Sequence, residues 1–423
     1  MSERSVPALA APPKERDNPL TRSVAGLLGL GFLLGMFALC LLTLPYTLGT
    51  SSDGVGGEAS AAPRYNEGLP KAGRLPPSWI APDADEFRRL TALLDPEQLD
   101  EIAGATGLSS EELRSVTPES GPDDAVAALQ GVHPKYLLGT DFLGRSLWIR
   151  CLTGGGISLG IGIAAALISV TIGTLYGALA GYAGGKIDAV MMRIVDVLFG
   201  LPYILLVVLL AVAVDAKMDD WASQRVQAKS EQREAFVETY LSERGIAVPT
   251  EEQASEARAQ AEQTLGTGEL SAGAQTAINV VTLLVAIGGV SWLTMARVVR
   301  GQVLSLKNQP FVEAARAVGA PSSRIFFRHL LPNLVGPIVV YATLTVPQAI
   351  LQESFLSFLG IGVNPPLPSW GNLAADGLNE VNTYKPHWWL LLFPCVLLGT
   401  TLLALNFVGE GLREALDPKR ARS

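Results

Sequence analysis

Few of the residues that could do chemistry in this chain are grouped as covalent catalysis would need. Cys40, Cys151 and Cys395 lie in or beside apolar stretches with no C-x-x-C spacing, so neither a disulfide framework nor a zinc site is indicated. His133, His329 and His387 are scattered, with no metal spacing. No G-x4-G-K-[ST] phosphate loop occurs, so any nucleotide must be bound by a partner. No cofactor, no metal and no enzymatic step of the chain's own is expected. Two other constellations stand out: Glu313-Ala314-Ala315, followed by Gly319 and then Leu331-Pro332, and Glu353 with Gln352 and Gln348 inside an apolar stretch.

The first has the form of a lever. Pro310 suits the first turn of a helix, residues 313–318 are mostly good helix formers, and Gly319 can take the left-handed conformation that ends one. Pro321 then starts a second helix through Ile325, Phe326 and Phe327 to Leu331-Pro332, leading directly into the next apolar stretch. A rigid helix pushed at one end moves the other. In the second constellation, counting from Pro332 at about 1.5 Å per residue puts Glu353 about 30 Å along, near the far edge of a bilayer's hydrocarbon. An acid facing lipid there is costly, so Glu353 is expected to face a pathway inside the bundle near its outer mouth, with Gln348 and Gln352 beside it and Tyr341, Thr343 and Thr345 below.

The elements that carry these residues follow from composition. The chain has 423 residues, 48% of them hydrophobic, 43 glycines and only 17% charged residues, which does not read as a soluble enzyme. Uncharged runs at 24–52, 151–185, 197–214, 270–296, 330–352 and 386–409 are each long enough for one membrane helix. The expected fold is an all-α polytopic membrane protein with six spans. Those spans lack buried Asp, Glu, Lys, Arg and His almost entirely, which disfavours an ion-driven transporter. Work done by such a bundle would draw its energy through a cytoplasmic surface that a motor can grip. Span two carries Gly173, Gly177 and Gly181 on one face, read as a close helix-packing stripe.

Charge sets the topology. Arg4, Lys14, Arg16 and Arg22 precede span one, Arg413, Lys419, Arg420 and Arg422 follow span six, and residues 297–329 hold six Lys/Arg against Glu313 alone. The positive-inside rule therefore expects cytoplasmic termini and accounts for the basic loop without nucleic acid. The resulting organisation is a cytoplasmic segment 1–23, span one at 24–44, an acidic extracytoplasmic subdomain at 45–150, and spans two and three within 151–214. An extracytoplasmic insertion at 215–276, span four at 277–296, the lever loop at 297–331 and span five at 332–360 follow. An outer loop at 361–385, span six at 386–409 and a cytoplasmic end at 410–423 complete the chain. Helical spacing from Asp83 to Leu94 and a capping box at Ser109-Ser110-Glu111-Glu112 predict a small helical subdomain. Gly245, Pro249 and Thr250-x-x-Gln253 predict a helical hairpin with arms near 219–243 and 251–265. The first span exceeds a signal-peptide core, and Leu39 is too bulky to precede a lipidated Cys40, so it is expected to be a permanent anchor.

At the lever the chain resembles the permease subunits of ATP-binding-cassette importers, whose cytoplasmic signature is E-A-A-x3-G-x9-I-x-L-P. Glu313, Ala314, Ala315, Gly319, Leu331 and Pro332 fall in register, with His329 at the isoleucine position. Further segments resemble the dipeptide/oligopeptide branch: Gly139-Thr140-Asp141-Phe142-Leu143-Gly144-Arg145, with Ser146 in place of a final Asp; Leu356 to Gly360 leading into Pro365 to Gly371; and Gly411 to Pro418. The acidic loop and the inserted hairpin have no counterpart in that pattern. The resemblance implies an inner-membrane permease of type I importer architecture. Its implied partners are a second, similar permease, two cytoplasmic ATPase subunits that take the first helix of the loop in a cleft, and an extracytoplasmic binding protein. Peptides are the implied cargo, with nickel chelates or glutathione as alternatives within the branch. A membrane scaffold or receptor, with the acidic domains as its working part, is the alternative of another class, and the lever argues against it.

Overall fold

The computed structural model describes residues 24–50, 62–246 and 248–416. The basic residues expected to fix the amino terminus, and Asp417, Pro418, Lys419, Arg420 and Arg422, lie outside them. The chain is a multi-pass all-α membrane protein. Among the described residues five helices are long and apolar enough to cross a membrane, or six if one bent pair is a single span. They are α1 (Val24–Leu48), α6 (Leu147–Ala183), α10 (Ala272–Leu306), α13 (Leu331–Phe358) and α15 (Trp389–Leu416). The bent pair is α7 (Gly185–Phe199) and α8 (Tyr203–Glu243), meeting at 93°.

That bend falls within the expected third span at 197–214. Pro202 has no N–H to continue the ladder and pushes Leu201 out of helical geometry, so the run breaks between Phe199 and Tyr203. Once restarted, α8 meets no Gly or Pro until Gly245 and runs for 41 residues. At about 1.5 Å per residue that is about 60 Å, twice the hydrocarbon thickness. The first arm of the hairpin is thus the C-terminal half of α8 and has no cap of its own, while the second arm, α9 (Glu251–Leu265), has the Thr250–Gln253 capping box. Ala257 and Ala261 are buried against α8, with Arg244 and Glu256 paired at 3.4 Å near the tip.

The centre of the bundle is α6 packed along α10, and the glycine stripe is what brings them together. A Cβ at Gly173 would lie 2.5 Å from the Met295 Cβ, one at Gly177 2.2 Å from the Ala296 carbonyl oxygen, and one at Gly181 2.9 Å from the Val303 Cβ. The Ala296 contact is backbone and cannot swing away. Gly177→Leu is therefore expected to cost at least the roughly 1–3 kcal/mol of an overpacked core, while Gly160→Leu, with nothing within 4 Å of its Cβ position, is expected to be neutral. Thermal unfolding of the two purified variants compares them directly, and equal midpoints would remove the stripe from the packing argument.

Between α1 and α6 lies the helical subdomain: α2 (Ala84–Thr91), α3 (Pro96–Thr106), α4 (Ser110–Ser115) and α5 (Asp123–Val132). Capping boxes at Asp83/Glu86, Asp95/Gln98 and Ser109/Glu112 start three of them. Phe87, Leu99, Leu113, Ala125 and Leu129 close its core. His133 is buried beside Phe87 with one ring nitrogen 3.0 Å from the Thr91 hydroxyl, and burial pushes its pKa down to about 4.

Candidate functional site

The lever is built as its sequence implies. Gln309 is the N-cap and Pro310 the first residue of α11 (Pro310–Ala317). At its end Gly319 has φ +81°, the Gly319 N–H donates to the Arg316 carbonyl, and the Ala320 N–H donates to the Ala315 carbonyl. Those two bonds make a Schellman cap, which is why a glycine ends this helix. Val312 is fully buried in a cluster with Val299 and Val303 of α10, Ala178 of α6, and Ile325, Leu330 and Leu334 beyond the elbow. The opposite face is open: Glu313, Ala314 and Arg316 are exposed, and so are Phe311 and Val318.

Past the elbow, α12 (Ser322–Ile325) passes through a π-helical turn at Phe326–Leu330 into α13, so that one limb runs from Ser322 to Phe358. The wider turn has an identifiable cause. Pro332 lacks an N–H and its ring crowds the carbonyl of the preceding turn, and the Leu331 N–H donates instead to the Phe326 carbonyl, five residues back. Leu331 and Pro332 therefore stand at the junction of lever and span, away from the outward face of α11. The Tyr182 hydroxyl donates to the Ser322 carbonyl at 3.1 Å and Lys307 Nζ to the Gly181 carbonyl at 3.1 Å, tying the assembly to α6. Val312 thus ties α11 to three membrane helices.

Glu353, Gln352 and Gln348 are not brought together. Glu353, expected beside a pathway, has a fully buried side chain in this chain, turned inward among serines. The Ser357 hydroxyl donates to Glu353 Oε1 at 2.8 Å and the Ser354 hydroxyl to Oε2 at 3.2 Å, and the hydroxyls of Ser158 and Ser369 reach the same carboxyl. The hydroxyls cluster there because the segment after α13 folds back into the bundle. Ser369 caps α14 (Trp370–Asn379), and Trp370 is fully buried with Nε1 donating to the Cys151 carbonyl. Within the Pro365 to Trp370 run, Pro365 and Pro366 are exposed, while Pro368, Ser369 and Trp370 are buried in the bundle.

Gln348 and Gln352 lie on the other side of α13, at a cleft of about 250 Å³ next to the α7–α8 break. Its walls include Phe199, Leu201, Tyr203, Val290, Leu293 and Thr294. The Tyr203 hydroxyl donates to Gln352 Oε1 at 2.6 Å and lies 2.8 Å from the Ser291 hydroxyl. Sequence reasoning missed Tyr203 and Ser291, whose only sequence signal was the Gly200-Leu201-Pro202 breaker. It also missed that Arg300 and Arg297, counted only as topology signals, pair with Asp188 and Asp196 of α7, Arg300 doing so with two bonds.

On the far side of the molecule Asp141 is a hub. Its carboxylate accepts from the N–H groups of Leu143 and Arg145, from Arg145 Nε at 2.7 Å and from Arg150 Nη1 at 2.5 Å. Thr140 bridges to the Ala72 carbonyl and the Leu75 N–H, and a side chain at Gly144 would collide with Leu69 backbone. The Gly139 to Arg145 motif thus fastens the subdomain to the start of α6. Arg74 and Glu380 add a two-bond ion pair, and the Arg74 guanidinium holds the Glu380 carboxyl below its usual range. Lys385 bridges Asp83 and Glu86.

Residues 173–422 match the family described as binding-protein-dependent transport system inner membrane component. The chain is similar to the oligopeptide transport system permease protein of Haemophilus influenzae, 39% identical over 295 residues that cover 70% of this chain and 73% of that one. It is also similar to the dipeptide transport system permease protein of Bacillus subtilis, 40% identical over 287 residues covering 68% and 70%. The glutathione transport system permease protein of Pectobacterium atrosepticum is 34% identical over 290 residues covering 69% and 75%.

Proposed function

This chain belongs to the family of binding-protein-dependent transport system inner membrane components, and from that premise we propose that it is the permease subunit of an ATP-driven importer of di- and oligopeptides. It supplies half of an alternating-access pathway, and a second, similar permease supplies the other half. Two cytoplasmic ATPase subunits grip α11 through Glu313, Ala314 and their exposed neighbours, and an extracytoplasmic binding protein delivers cargo. Both termini are cytoplasmic and the subdomain and hairpin are extracytoplasmic, in accord with the basic character of residues 297–329. The observation that carries this reading is the lever: α11 buries Val312 in three membrane helices while its opposite face is open. An anchor for a receptor needs no such part. Peptides are favoured because the relatives at about 40% identity are named for them.

Purification in mild detergent is expected to bring down ATPase subunits in stoichiometric amount, and proteoliposomes of the complex are expected to take up labelled peptide in an ATP-dependent manner. Purification without an ATPase, or uptake of glutathione with none of tri- to pentapeptides, would replace this reading.

The hairpin formed by the outer half of α8 and by α9 adds surface for the binding protein. Replacing residues 219–265 by a short Gly/Ser linker is expected to leave the bundle folded, since shortening a surface loop costs little entropy. Binding-protein affinity is expected to fall. Unchanged affinity and uptake would make the hairpin a solvated insertion.

A further inference from the structure

The cleft beside the α7–α8 break has features that the lever and the fold do not require. Because Tyr203 donates to Gln352 Oε1 at 2.6 Å, with the Ser291 hydroxyl 3.3 Å from the same oxygen, the amide of Gln352 is oriented. Its oxygen is used, and its Nε2 makes no hydrogen bond among the described residues. An amide group holds two N–H donors, so this side chain offers donors to the cleft. The exposed Gln348 and Thr294 stand at the same walls. None of the lining residues is charged, and the remaining surface is apolar, with Phe199, Leu201, Val290 and Leu293 contributing.

Such a site fits one class of occupant. Peptides differ in their side chains and share only the neutral main-chain amide. A fixed amide donor recognises the shared part, uncharged walls do not discriminate by charge, and apolar walls tolerate varied side chains. At about 250 Å³ the cleft is below the roughly 300–1,000 Å³ of a ligand pocket, so it holds a short length of extended chain and not a whole cargo.

We propose that this cleft is a transit subsite for the peptide main chain, in which Gln352 Nε2 donates to a backbone carbonyl and Tyr203 is the positioning residue that holds the amide in that orientation. The proposal rests on the peptide-permease reading.

The test uses the full complex in proteoliposomes at saturating loaded binding protein, with trialanine and its two mono-thioamides as probes, because a thiocarbonyl sulfur accepts a hydrogen bond less well than oxygen. In the wild type one thioamide is expected to move more slowly than trialanine. Gln352→Leu is expected to lower maximal trialanine uptake about five- to tenfold, the worth of one hydrogen bond, to erase the thioamide difference and to leave the KM for loaded binding protein unchanged. Tyr203→Phe, which removes one hydroxyl and keeps the ring, is expected to lower uptake less and to shrink the same difference. A thioamide difference that persists in Gln352→Leu, or uptake by Gln352→Leu equal to wild type, overturns the subsite while the permease reading stands. A wild-type complex that takes up no peptide overturns both.

Discussion

Glu313→Lys is expected to abolish substrate-stimulated ATP hydrolysis while leaving the protein folded in the membrane. Glu313 is exposed on the open face of α11, so reversing its charge disturbs no internal packing. What it changes is the surface offered to a docking partner, where opposed charges fix register and a like charge repels. Gly319→Asp is expected to reach the same result by another route. The position at φ +81° has nothing within 4 Å of an added Cβ, so the substitution meets no clash. It strains the left-handed backbone by about 1 kcal/mol and loosens the Schellman cap that sets the angle between α11 and the long limb. Proteoliposomes holding the complete transporter, assayed for ATP hydrolysis with and without loaded binding protein, separate the variants from a folding defect. Wild-type stimulation in both would sink the coupling assignment.

The lever was legible in the sequence because its causes are local. Pro310 at a helix start, Gly319 at a helix end and Pro321 at a restart each act within one turn of where they stand. The glycine stripe on α6 was legible for the same reason, since spacing alone puts Gly173, Gly177 and Gly181 on one face. The α7–α8 bend should have been read from Gly200-Leu201-Pro202, but apolarity counted along 197–214 hid the breaker. Contacts between distant segments left no local trace. Arg74 meets Glu380 across 306 residues, and Tyr203 meets Gln352 across 149. The surroundings of Glu353 were hidden for a related reason. Depth along α13 follows from counting residues, whereas the side the carboxyl faces depends on the chain after Gly360 folding back to place Ser369 and Trp370 beside it.

Glu353→Ala is expected to destabilise the complex strongly, and Glu353→Gln to be tolerated. The carboxyl joins three parts of the chain: Ser158 of α6, Ser354 and Ser357 of its own helix, and the Ser369 cap of α14. Ser357 also accepts the Val363 N–H at 3.0 Å and Ser158 the Trp370 N–H at 3.3 Å, so the same network fixes the returning segment. Truncation to alanine orphans buried hydroxyls and leaves a void, together worth about 3–5 kcal/mol. Glutamine keeps an acceptor oxygen, adds donors that serine oxygens can accept, and removes any need to bury a charge. Thermal unfolding of the purified complex reads the difference, and hydrogen exchange over residues 361–375 locates it. Cysteine labelling supplies the contrast with the cleft: Gln348→Cys is expected to react with a water-soluble maleimide and Glu353→Cys to stay unreactive in the resting state. If Glu353→Ala kept the wild-type midpoint and exchange protection while Glu353→Cys labelled as fast as Gln348→Cys, the carboxyl would face water, and the inward network would not be what holds α14 in place.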